Sequence, residues 1–177
     1  MTYETENPDI EALRPRLQAT DAGMRRIALI ELADLEDPDG LVWLVDSLGN
    51  DPATDVRAQA ASLLEAWEED EVVKALCQAL TDTEASVRDA AAQSLSVLKT
   101  TQAGRLLLPW TTHADVSVRT AIFRALRELR LEAAVPSALL ALNDADAGVR
   151  REAGGVLGWP NHLQSLDALA PSAGPDP

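Results

Sequence analysis

The segment VRDAAAQSL, Val87–Leu95, decides the fold of this chain because it returns four more times along the sequence. The other copies align with it without gaps: MRRIALIEL from Met24, VRAQAASLL from Val56, VRTAIFRAL from Val118 and VRREAGGVL from Val149. The arginines of the five copies lie 32, 31, 31 and 31 residues apart. They are Arg25, Arg57, Arg88, Arg119 and Arg150. A fixed period of this length is typical of repeat proteins, in which each repeat is one small structural unit.

Apolar residues in each copy have helical spacing. In the copy that begins at Val87, Ala91 lies three residues after the arginine and Leu95 lies seven after it, so they share one helical face. A second set of apolar columns lies upstream. The column fifteen residues before the arginine, or sixteen in the second copy, contains Ile10, Leu41, Val73, Gly104 and Val135. Each repeat is therefore predicted to be two antiparallel helices.

Acidic residues mark the predicted start of the second helix in four copies, four residues before the arginine. They are Asp21, Glu84, Asp115 and Asp146. A carboxylate there accepts hydrogen bonds from exposed main-chain N–H groups and meets the positive end of the helix. We therefore place the turn inside each helix pair just before these residues.

These columns predict an all-α protein, a right-handed α-α superhelix of five helix pairs with a C-terminal capping half-repeat. Residues 1–170 are predicted to form one domain. Leu166 and Leu169 continue the first-helix columns, which assigns residues 161–170 to the cap and leaves residues 171–177 as a disordered tail. The predicted units cover about residues 8–36, 39–67, 70–99, 102–130 and 133–159.

The recurring pattern D-x5-R followed by x2-A-x3-L resembles HEAT repeats of the short bacterial type, first noted in phycobilisome lyases. Asp51/Arg57, Asp82/Arg88 and Asp144/Arg150 carry the resemblance. In that family the Asp and Arg of successive units form a hydrogen-bonded ladder. The resemblance therefore implies a structural ladder, in which Ala19 and His113 replace the aspartate of units one and four. Its expected members are Arg57, Arg88, Arg119, Arg150, Asp51, Asp82 and Asp144.

Charge and composition narrow the function classes. The net charge is -14, and residues 1–72 contain 18 acidic but only 5 basic residues. Such a surface repels a phosphate backbone, so we expect no nucleic-acid partner. The sequence has no signal peptide and no apolar run of membrane-spanning length, which predicts a cytoplasmic protein without membrane contact. We further expect a monomer.

The residues that catalysis requires are not grouped in this sequence. His113 and His162 are the two histidines and lie in unrelated repeat phases. The sequence has no HExxH, no GxSxG and no glycine-rich phosphate loop. Cys77 is the single cysteine and is expected to be a small buried side chain. We therefore predict no enzyme activity, no catalytic or metal-binding residues and no cofactor.

Two surfaces are candidates for partner binding. The second helices of HEAT-like units line the concave face, where basic and polar side chains of the last units form a candidate groove. Its residues are Arg124, Arg127, Arg151, Gln93 and Trp159. A candidate acidic rim lies where second helices end. Its residues are Glu65, Glu68, Glu69 and Asp70. The groove would bind carboxylates or phosphates and the rim a basic segment, unless both are ordinary solubilising charges.

Three functions remain open from the sequence. The first is a non-catalytic scaffold or adaptor that recruits another protein or a peptide segment to the concave face. The second is a subunit similar to the chromophore lyases, which the repeat type suggests. The third is a DNA repair glycosylase built on HEAT-like repeats, which needs a basic groove to hold DNA and is opposed by the charge balance.

Overall fold

The computed structural model describes residues 7–158, and these residues form ten α-helices and no strand. The first helix of each unit carries an odd number and the second an even number. The helices are α1 Pro8–Leu17, α2 Ala22–Asp34, α3 Leu41–Asn50, α4 Thr54–Leu63, α5 Asp70–Ala79, α6 Ala85–Ser96, α7 Thr101–Leu107, α8 Val116–Leu129, α9 Val135–Ala141 and α10 Ala147–Leu157. Short 3-10 turns precede or extend several of them.

The helices pack in pairs, and each pair packs against its sequence neighbours. Within a unit the two helices contact each other, as α1 does α2 and α9 does α10. Successive even-numbered helices pack against each other all the way from α2 to α10. The odd-numbered helices pack less closely, since α1 hardly touches α3 and α7 hardly touches α9. The even-numbered side is therefore the inner, concave face. The predicted all-α superhelix of five helix pairs is confirmed.

The apolar columns of the repeat form the core. Val56, Val87, Val118 and Val149, which directly precede the arginine, are all fully buried. The column seven after the arginine is also buried in every unit, and each buried leucine contributes roughly 1.5–3 kcal/mol. In the column three after the arginine, Ala28, Ala60, Ala91 and Ala153 have no exposed surface, which lets neighbouring helices approach closely.

The acidic helix starts behave as predicted at three of four positions. Asp21 accepts a hydrogen bond from the N–H of Met24 at 2.8 Å, and Asp115 accepts one from Ser117 at 2.7 Å. Asp146 does the same for Gly148 at 2.7 Å. The prediction was wrong at Glu84, whose side chain makes no cap hydrogen bond. A glutamate at this position is a poorer cap than the shorter aspartate.

Some predicted features lie outside the described residues. These are the cap at residues 161–170, the tail at residues 171–177, and Trp159. Within residues 7–158, no helix has the length and apolar character needed to cross a membrane.

Candidate functional site

The repeat arginines connect neighbouring units along one edge of the solenoid. Arg57 Nε lies 2.8 Å from Asp82 Oδ2, and Arg57 Nη2 lies 3.0 Å from Asp82 Oδ1. Arg57 Nη1 donates to the main-chain oxygen of Asp51 at 3.0 Å. The arginine thus closes the turn of its own unit and binds the carboxylate of the next unit. We call each such two-bond pair between units a rung.

Rungs are present at three of the junctions between units. Arg25 binds Asp51 through two hydrogen bonds of 2.7 Å, and Arg119 binds Asp144 at 2.8 and 3.0 Å. The side chains of these pairs are largely shielded from water. Arg25 was missed in the predicted ladder, although its spacing to Asp51 nearly matches that of Arg57 to Asp82.

The rungs stabilise the charged form of both partners. The hydrogen bond from Arg57 holds the pKa of the Asp82 carboxyl below its usual value, and Arg119 has the same effect on the pKa of Asp144. The pKa of each of these two arginines is raised in return by its hydrogen bond to the aspartate. These pairs are therefore ionised over the whole neutral range.

The junction between units three and four has no rung. Arg88 Nη1 donates to the main-chain oxygens of Asp82 at 2.7 Å and Thr83 at 2.8 Å, as in the other units. The position 25 residues further on is His113, whose Nδ1 accepts the N–H of Asp115 at 3.1 Å. Because a histidine has replaced the carboxylate, Arg88 must be removed from the predicted ladder between units.

Arg150 is the last repeat arginine and closes its own turn. Its Nη1 donates to the main-chain oxygens of Asp144 at 2.7 Å and Ala145 at 2.8 Å. The position 25 residues after it is 175, which lies outside the described residues. Arg150 therefore closes its own turn, and its place in the ladder stays a prediction.

Three residues of the candidate groove lie on consecutive concave helices. Gln93 is exposed on α6, Arg124 on α8 and Arg151 on α10. Arg124 has no ion pair with any residue between 7 and 158. The Arg151 side chain is 75% exposed and its Nε lies 3.8 Å from Glu152 Oε1, longer than a hydrogen bond.

Arg127 has a different role from the one predicted. Its Nη1 lies 2.7 Å from Glu152 Oε2, and its Nη2 lies 2.7 Å from Glu128 Oε1. Its side chain also lies directly over Gly155, where an added Cβ would meet Arg127 Cδ at 2.5 Å. Arg127 therefore joins α8 to α10, and its guanidinium is already occupied.

Glu152 and Gly155 are the residues that the sequence reasoning missed at this junction. The Glu152 side chain is 6% exposed, so Arg127 satisfies a carboxylate that is almost buried. A signal for this pair was available, because Glu152 follows Arg127 by the same 25 residues that separate Arg119 from Asp144.

The candidate acidic rim is partly a structural feature. Glu68 accepts hydrogen bonds from the main-chain N–H groups of Lys99 at 2.5 Å and Thr100 at 2.9 Å, where α7 begins. Asp70 accepts one from Gln102 at 3.1 Å. Glu65 and Glu69 are exposed. Glu68 thus connects successive links between units, and the partner-binding role of the candidate acidic rim stays a prediction.

Other reactive groups lie away from these surfaces. Cys77 is fully buried, and burial raises its pKa to about 12, so the sulfur stays a thiol. Within residues 7–158, no three His, Cys, Asp or Glu side chains are grouped so that they could hold a metal ion. A groove of about 570 Å³ lies on the outer side between α3 and α5, and most of its exposed lining is apolar.

Comparison with known proteins agrees with this architecture. The family model for HEAT repeats matches residues 43–126. No curated protein matches the sequence. Many solved structures are similar to this chain. The complex of CpcE and CpcF of phycocyanin lyase from Nostoc sp. PCC7120 has a TM-score of 0.57 and 21% identity, covering 97% of this chain and 74% of that one.

An engineered protein and Cex1p are two further similar structures. The engineered protein has a TM-score of 0.53 and 21% identity, with 95% of this chain and 91% of that chain covered. Cex1p has a TM-score of 0.63 and 14% identity, with 94% of this chain but 37% of that chain covered. At these identities the likeness concerns the fold. With its repeat match over residues 43–126 and its stacked helix pairs, the chain is a helical solenoid of the HEAT type.

Proposed function

We propose that this chain is a non-catalytic scaffold that binds an acidic segment of a partner protein on its concave face. The observation that carries this proposal is the pair of exposed arginines at one end of that face. Arg124 and Arg151 lie on α8 and α10, which pack side by side. A guanidinium offers a planar fork of donors that matches a carboxylate, so two of them favour an acidic segment.

The rest of the concave face supports the same proposal. Ala58, Ser62 and Ser96 present small side chains on α4 and α6, and both serine hydroxyls bond to main-chain oxygens of their own helix. These residues leave room for a bound segment without leaving polar groups unsatisfied. Gln93, exposed between them and Arg124, supplies an amide that can bond to main-chain groups of the partner.

The distribution of charge favours the C-terminal half as the place where an acidic segment binds. Residues 73–177 contain 11 acidic and 10 basic residues, whereas residues 1–72 contain 18 and 5. An acidic partner is therefore repelled by the N-terminal half and accepted by the other. The net charge of -14 makes a protein partner a better candidate than a nucleic acid. In this proposal the scaffold works as a cytoplasmic monomer.

The test is affinity capture from native lysate at low salt, followed by a binding measurement with the purified partner. The double variant Arg124→Glu/Arg151→Glu should bind at least about tenfold more weakly, because two charge-assisted contacts become repulsive. Arg105→Glu on the outer helix α7 changes the same charge away from the groove and should bind normally. A partner that binds the double variant as tightly as the wild type would refute the proposal.

A second candidate function is a lyase-like subunit that handles a bilin chromophore. The observation in its favour is the similarity of fold to the CpcE and CpcF complex of phycocyanin lyase. Incubation with a bilin and an acceptor protein tests it. Visible absorbance that stays with the acceptor after denaturation, and depends on this chain, would favour the lyase-like function over the scaffold.

A further inference from the structure

The three complete rungs share one register. Each places the fork of an arginine opposite a carboxylate that follows it by 25 or 26 residues. In each pair the arginine supplies two donors, Nε and Nη2, and the aspartate supplies two acceptor oxygens. This register makes His113 the residue opposite Arg88.

Arg88 makes the same main-chain contacts as the arginines that form rungs. Its Nη1 donates to the main-chain oxygens of Asp82 at 2.7 Å and Thr83 at 2.8 Å. Arg119 Nη1 makes the equivalent bonds to His113 at 2.7 Å and Ala114 at 2.9 Å. The remaining edge of Arg88, Nε and Nη2, has no hydrogen bond to an acceptor within residues 7–158.

His113 has a ring N–H donor in place of the second carboxylate oxygen of an aspartate. Its Nδ1 accepts the N–H of Asp115 at 3.1 Å, so the proton of the neutral ring is on Nε2. The ring is stacked on Trp110 with 5.6 Å between the centroids, which holds its orientation. The register therefore sets a cationic fork opposite a ring with one N–H donor, without the carboxylate that the rung requires.

We propose that Arg88 and His113 form a binding site for a carboxylate, supplied by an aspartate or glutamate side chain of a partner protein. The carboxylate takes the place of the missing aspartate, accepting from Arg88 Nε and Nη2 and from His113 Nε2. A planar carboxylate matches this fork, because the same fork holds a carboxylate in the three complete rungs. The site lies on the turn edge and does not depend on the concave groove.

Side-chain NMR of the full chain tests the site with a blocked aspartate, N-acetyl-aspartic acid N-methylamide, at constant ionic strength. Addition should shift the Arg88 Nε–H and His113 ring signals saturably. Arg119 is the internal control and should not shift, because Asp144 already occupies its fork. The blocked asparagine, which has the same shape without the charge, should produce no saturable shift.

Two variants separate the site from a general effect of anions. His113→Asp places a carboxylate in the rung from within the chain, so the response of Arg88 should disappear. Arg88→Gln keeps His113 but removes the fork, so the response of His113 should disappear. The idea is overturned if Arg88 shows no saturable shift, or if either variant responds like the wild type. Tighter binding of inorganic phosphate than of the blocked aspartate would overturn the assignment to a carboxylate.

Discussion

The junction between units four and five and the junction between units three and four differ in their polar contacts. Units four and five are joined by two ion pairs. Arg119 binds Asp144 at the turn edge, and Arg127 binds Glu152 across α8 and α10. The junction between units three and four lacks the rung because His113 has replaced an aspartate. One side chain in a repeat thus decides whether an arginine joins two units or keeps two donors without an acceptor among residues 7–158.

The buried apolar side chains are similar at the two junctions. Ala91 on α6 and Ile122 on α8 are fully buried on the two sides of the junction that lacks a rung, as Ile122 and Ala153 are at the doubly joined one. Burial therefore keeps the solenoid continuous, because it scales with apolar area and needs no particular partner. The polar contacts add local stability at chosen junctions.

Removal of a complete rung should have the largest effect. Asp82→Ala should lower the free energy of unfolding by about 2–3 kcal/mol, because it leaves Arg57 without its carboxylate and also removes the acceptor of the Glu84 N–H. The control, His113→Ala, should cost about 1 kcal/mol or less, since it breaks no rung. Urea unfolding of both variants provides the comparison. Equal losses would show that the rung adds nothing to its junction.

The two adjacent glycines of α10 should respond to alanine with opposite signs. Gly155→Ala should lower the free energy of unfolding by about 1–2 kcal/mol, because the new Cβ displaces Arg127 and leaves Glu152 buried without its partner. Gly154→Ala should raise it by about 0.5–1 kcal/mol, since a Cβ there meets no described atom within 4 Å. Thermal unfolding of the two variants resolves the sign. Stabilisation by both would contradict the close packing of Arg127 over Gly155.

Restoration of the missing rung should give a smaller gain. His113→Asp should raise the free energy of unfolding by about 0.5–1 kcal/mol, because a carboxylate there can accept from Arg88 as Asp82 does from Arg57. The matched control is His113→Asn, which has a similar shape but no charge and should gain less. Urea titration at neutral pH measures both. A destabilised His113→Asp variant would show that the guanidinium of Arg88 is not placed to bind a carboxylate at position 113.

Loss of charge on the ladder carboxylates should have the smallest effect, because it lowers the free energy of unfolding only in acid. The native pKa values of Asp82 and Asp144 are lowered by Arg57 and Arg119, so their contribution is complete above the unfolded pKa, near 3.9. It is lost as the pH falls through the lower native pKa values. Stability should therefore decline from about pH 5 downward. Asp82→Asn should show a shallower decline in urea midpoint, and an unchanged slope would argue against ionised rungs.

The sequence by itself determined the class of fold. A period of 31 residues with apolar columns fixes which side chains are buried, since the helical repeat alone places them on one face. It also located the repeat arginines and the carboxylate caps of three second helices. These are local features that depend on residues a few positions apart, which explains why pattern reasoning succeeded for them.

The tertiary structure alone decided the partners of the charged residues. The sequence pattern sets Asp82 beside Arg88, yet its carboxylate binds Arg57 of the preceding unit, because stacked units bring the two within 3 Å. For the same reason Arg127 proved to be paired with Glu152, and Glu68 to bind the main-chain N–H groups of Lys99 and Thr100 just before α7. Charge interactions depend on distances across a junction, and stacking of the units sets those distances.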